Sequence, residues 1–182
     1  MDVYILKKFV SFIDRFNDRI GRIFSVIIIV VIFILNYEVF MRYFLHRPTI
    51  WVHEFSAMMY AVFFLIGGVY NMRWSQHLNV DIFYSKLSKK KQAILDLFTY
   101  LLFYLFIFIM FWLGSQSAYI SVQNWEHSNS VWSPPIWEVK LFIPFVSLLM
   151  LLQGLSKTIK DIYFIFSGRD LLISAKKGDE KN

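Results

Sequence analysis

The chain has 182 residues, of which 57% are hydrophobic and 20% aromatic, shares above those of ordinary soluble domains. The absence of cysteine excludes disulfides, iron–sulfur clusters and thiolate chemistry. The net charge of +6 is explained by loops that face anionic lipid, and no zinc-finger, helix-turn-helix or RNA-binding signature accompanies it to suggest nucleic acid.

At the N-terminus, Ile5, Phe9, Phe12, Ile13, Phe16, Ile20 and Ile23 recur at three- and four-residue steps. Lys7, Lys8, Ser11, Asp14, Arg15, Asp18, Arg19 and Arg22 take the other face, which predicts an amphipathic helix lying in the membrane interface. A first apolar run follows at about 23–45, with a β-branched core from Val26 to Ile34. A run of about 20 apolar residues crosses the hydrocarbon layer as a helix. No small-x-small cleavage site follows it, so it reads as an uncleaved anchor. Glu38 and Arg42 stand four apart on one helix face and are expected to pair. His46, Arg47 and Pro48 form a tight turn, with Thr49 as a helix cap. The second span, 51–72, carries Glu54 near its start and the adjacent Gly67 and Gly68, which permit close approach of a neighbouring helix.

Val80, Phe83, Tyr84 and Leu87 share a helical face beside Lys86 and Lys89–Lys91, predicting a short second interfacial helix, with Ser88 opening the third span. That span, 93–122, exceeds what a bilayer needs and is expected to tilt or protrude. The loop 123–137 contains Trp125, Trp132 and Trp137. Ser133, Pro134 and Pro135 read as the start of the fourth helix, 136–166, in which Pro144 should produce a kink. Residues 176–182 have the composition of a disordered tail. The expectation is an all-α integral membrane protein: one four-helix domain over 1–175, with no internal repeat.

Lysine and arginine divide unevenly between the two sides. The N-terminal segment, the gap between spans two and three, and the C-terminal tail hold sixteen; the other side holds only Arg42, Arg47 and Lys140. Basic residues in short loops stay in the cytoplasm, so both termini are expected there.

The intramembrane ionisable groups are the first functional suspects: Glu38, Arg42, Glu54 and Asp96. All lie towards span ends, where structural pairing explains them: Glu38 with Arg42, Glu54 with an outer arginine, Asp96 with the basic belt. A proton or ion relay is the alternative. Haem between histidines is a second possibility, but His46, His53, His77 and His127 all lie outside the span centres. His46, His53 and Glu54 match no established zinc spacing. No phosphate loop or nucleophile elbow is present.

Several strings occur in a specific order: FMRYF at 40–44, PTIWVHE at 48–54, GGVY at 67–70, HLNVDIFY at 77–84, ILDL at 94–97, SVWSPP at 130–135 and LLQG at 151–154. This set, with four spans, resembles the DctQ-like small membrane subunit of tripartite ATP-independent periplasmic (TRAP) transporters. Gln76 and Asn79 depart from the family's usual Gly and basic residue. The resemblance implies a bacterial inner-membrane subunit that pairs with a large multi-spanning permease. In the family the large subunit carries the substrate and sodium sites and moves as an elevator. A periplasmic substrate-binding protein delivers a small organic acid or similar solute. The small subunit anchors the scaffold, has no catalytic or cofactor role and contacts membrane lipid. Glu38, Arg42, Glu54, Gly67, Gly68, His77, Asp81 and Pro144 are its structural or interface candidates. Two other readings are a self-sufficient oligomeric transporter or channel and a haem-bearing membrane anchor; transport by the purified chain alone, or a Soret band, would distinguish them.

Overall fold

The computed structural model describes residues 3–74, 88–168 and 171. They form four helices: α1 (Val3–Tyr43), α2 (Val52–Trp74), α3 (Lys89–Gln123) and α4 (Trp137–Ser167). All four are long and apolar enough to cross a membrane. Among the described residues there is no strand, only an isolated bridge between His127 and Pro135. The short interfacial helix expected around Val80–Leu87, and His77 and Asp81 within the same stretch, lie outside the described residues, as does the tail 176–182.

Helix α4 touches the other three; α1 packs on α2, and α3 lies chiefly against α4. The core sits where α1, α2 and α4 meet. Val62, Ile66 and Val69 recur at steps of four and three on α2 and face Val146 and Leu149 of α4. Ile20, Phe24 and Ile27 of α1 close this layer, and Phe24 meets Phe142 edge to face at 5.9 Å.

The sequence separates an interfacial helix from the first span; the structure joins them. α1 runs unbroken for 41 residues, about 60 Å at the α-helical rise. Its buried stripe shares Ile13 with the apolar periodicity and adds two polar residues. Val10, Ile13, Asp14 and Asn17 are buried, while Phe9, Phe12 and Phe16 are exposed. The polar members of that stripe find partners on α4, which lets Asp14 and Asn17 be buried beside Val10 and Ile13.

Ser88 is the N-cap residue of α3, as expected, though its side chain makes no cap hydrogen bond. The fourth helix starts later than the Ser133–Pro135 signal suggests. Ile136 is its N-cap, Ser133 has a φ of 49°, and Pro135 belongs to the loop bridge. The helix then continues through Pro144 to Gly168, whose φ of 66° is the left-handed turn that ends it.

Candidate functional site

Polar side chains gather at the two ends of the bundle. At the end formed by residues 44–51 and 124–136, α1 presents Glu38 one turn before Arg42. The guanidinium donates to Glu38 Oε1 at 2.6 Å from one terminal nitrogen and 3.0 Å from Nε. The other carboxylate oxygen accepts from the Thr49 backbone N–H at 3.1 Å and from the Thr49 hydroxyl. Thr49 therefore ties the α1–α2 turn back to α1; it does not cap α2. Glu38 is the hub of this group, since its side chain is 11% exposed against 54% for Arg42.

Glu54 is not held by an arginine among the described residues. Its carboxylate accepts from the Ser130 hydroxyl at 2.6 Å, which joins the start of α2 to the 124–136 loop. Trp132 of the same loop sits against Trp51 and Phe55, with ring centroids 6.4 and 6.5 Å away. The loop is held at its base as well. Glu126 donates its backbone N–H to Ser121 O and accepts that of Ile136, and its carboxylate receives the Lys140 ammonium at 2.5 Å. That contact holds the Glu126 carboxyl below the usual carboxylate range.

The opposite end carries a larger network. Asp14 of α1 accepts from Lys160 at 2.6 Å, from Ser156 at 2.7 Å and from Gln153 at 3.1 Å, all on α4. Gln153 in turn accepts from Asn17 Nδ2 at 2.7 Å. Beside it, Lys157 bridges Asp96 of α3 and Asp161 of α4, each at 3.1 Å. The expected pairing of Asp96 with a basic residue is thus met, by Lys157. The periodicity assigns Asp14 only to the polar face of the N-terminal helix and Asn17 to neither face; Gln153 appears only within the LLQG string.

Glycines mark where helices approach closely. A Cβ added to Gly21 would lie 2.5 Å from the Tyr70 ring, one on Gly114 would lie 2.6 Å from Ile143, and one on Gly154 would lie 3.1 Å from Tyr104. Gly68 faces Met150 at 2.7 Å, so it packs α2 on α4 within the chain, whereas Gly67 faces open space. Pro144 lies beside Gly114. The histidines are scattered: His46 is in the first turn with a φ of 53°, and His127 Nδ1 is 2.8 Å from Ser133 O. Among the described residues no three His, Asp or Glu side chains converge as a metal site would need.

The arrangement builds two polar clasps on an apolar bundle, each linking helices remote in sequence. A comparison with curated proteins gives no match. A family model for tripartite ATP-independent periplasmic transporters, DctQ component, matches residues 29–163, which include α2, α3 and most of α4. With four helices able to cross a membrane and most of its length matched, the chain belongs to the DctQ family, the small membrane component of a tripartite transporter.

Proposed function

We propose that this chain is the scaffold subunit of a sodium-coupled, binding-protein-dependent importer of a small organic acid or similar solute, and that it holds no substrate or cofactor site of its own. Its partners are a large multi-spanning permease and a periplasmic binding protein. The observation that carries this reading is the outward surface of α3. Only 6% of its most apolar window is buried within the chain, against 33% for α4. Leu101, Leu105, Phe108 and Trp112 all point outward. A helix that exposed meets lipid, and it leaves a face free for another membrane protein to pack on. The ionic side chains at both ends serve structural pairing, which suits a static element. The sixteen-to-three division of basic residues supports a bacterial inner-membrane orientation with both termini cytoplasmic and the 124–136 loop periplasmic.

The test is co-expression with the large permease and the binding protein, followed by copurification and uptake in proteoliposomes. The permease and binding protein are expected to need this chain for stable assembly and transport. Uptake by this chain without the permease would overturn the reading.

A further inference from the structure

One stripe of α3 is polar where its surroundings are apolar. Gln116, Ser117 and Asn124 lie with Leu113 and Ile120 at steps of three and four, on a single helix face. All three polar side chains belong to exposed residues, and none hydrogen-bonds to a described residue. They line a shallow, open groove together with Glu126 and Lys140. Leu113 and Ile120 supply its apolar walls.

Near the end of α3, the unpaired amides and hydroxyl find their partners in water or in something bound there. Lys140 and Glu126 fix what that something is. They present opposite charges 2.5 Å apart at the mouth, and both side chains remain partly exposed, 29% and 39%. The ammonium has three donors and gives one to Glu126; the carboxylate keeps acceptor sites that Lys140 does not use. An anionic headgroup would meet Lys140 but be repelled by Glu126. A headgroup with a phosphate and a hydrogen-bonding ammonium satisfies both.

We propose that this groove is a binding site for a phosphoethanolamine lipid. The phosphate takes donors from Lys140 and the Asn124 amide, while Ser117 and Gln116, about two turns further along α3, donate to the glycerol and ester oxygens. The primary ammonium donates to Glu126, and the acyl chains run along Leu113 and Ile120. A choline headgroup fits less well, because its quaternary ammonium has no N–H to give.

The test uses the full chain with its permease partner, delipidated and returned to nanodiscs containing equal parts dioleoyl phosphatidylethanolamine, phosphatidylglycerol and phosphatidylcholine. Retained lipid is counted by native mass spectrometry. Phosphatidylethanolamine should be retained preferentially. Lys140→Met should lower its retention about tenfold, as expected for one charge-assisted hydrogen bond. Glu126→Gln should shift preference from phosphatidylethanolamine to phosphatidylglycerol by removing the repulsion. A misfolded variant would lose all lipids and could not exchange one for another. Tyr119→Leu, on another exposed face of α3, should leave retention unchanged. Equal retention of the three lipids, or an unchanged preference in Glu126→Gln, overturns the proposal. So does crosslinking of position 116 to the permease with no lipid held, which would make the occupant a protein.

Discussion

Asp14 and Lys160 lie 146 positions apart, yet their side chains close at 2.6 Å and clasp the first helix to the last. Asp14 is buried, and its second oxygen is taken by Gln153 and Ser156. The contact is a fixed part of the packing, unlike Asp18–Arg22, where the arginine side chain is 74% exposed.

Removing one member of a buried, hydrogen-bonded pair costs about 3–5 kcal/mol, because the partner is left uncompensated. Lys160 keeps some water contact, so the lower end of that range is expected for Asp14→Ala. Thermal unfolding in detergent should show a clear loss of stability, and Asp14→Leu combined with Lys160→Met should recover much of it. A single variant as stable as the parent would show that the clasp contributes nothing.

This network also marks what the sequence reveals and what it conceals. The four spans were legible because about 20 apolar residues in a row have one stable form in lipid. Glu38–Arg42 was legible because four-residue spacing places both on one helix face. Asp14 was not, because polarity alone assigns it to solvent. Its partners Gln153, Ser156 and Lys160 lie beyond any local window. The same limit applies to glycine. The pair Gly67–Gly68 stands out in a string, whereas Gly21, Gly114 and Gly154 acquire meaning only when Tyr70, Ile143 and Tyr104 arrive opposite them. The fourth helix starts after Ser133–Pro135, and not at it, because the bridge to His127, eight residues earlier, holds Pro135 outside the helix.

The two adjacent glycines should now behave differently. Gly68→Leu meets the end of Met150, a flexible side chain that gives way only in part, so overpacking of about 1–3 kcal/mol is expected. Gly67→Leu projects into open space and should leave the isolated chain as stable as before. If the permease covers that face, Gly67→Leu weakens copurification without lowering the chain's own melting temperature. Pull-down yield measured beside thermal unfolding separates the two effects; equal loss of stability in both variants would contradict the packing.

Glu126 supplies a pH dependence. Lys140 lowers its carboxyl pKa in the folded chain. The contribution is therefore fully present above the unfolded carboxylate range and is lost as pH falls through the lowered folded value. Trp125 and Trp137, with ring centroids 5.8 Å apart, flank the contact and should report it by fluorescence. An acid transition is expected in the parent and should vanish in Glu126→Gln. In Lys140→Met it should move up towards the ordinary carboxylate range. A transition that persists in Glu126→Gln would assign it to another group.

The orientation can be read directly from a chain without cysteine. Asn129 is exposed in the loop between α3 and α4, and Tyr4 is exposed near the start of α1, so a single cysteine at either site leaves the packed core intact. The helix order puts these positions at opposite ends of the bundle, because α1 runs from the Tyr4 end to the end where α2 starts and Glu54 meets Ser130. By their place in the sequence, sixteen basic residues fall in the segments expected on the Tyr4 side and three in those on the other, and basic loop residues resist translocation. A membrane-impermeant maleimide added to intact cells with a permeabilised outer membrane should therefore label position 129 and not position 4. In inverted vesicles the pattern should reverse. Labelling of position 4 in the cells, with position 129 protected, would turn the protein over in the membrane and move the Glu126–Lys140 groove to the inner leaflet.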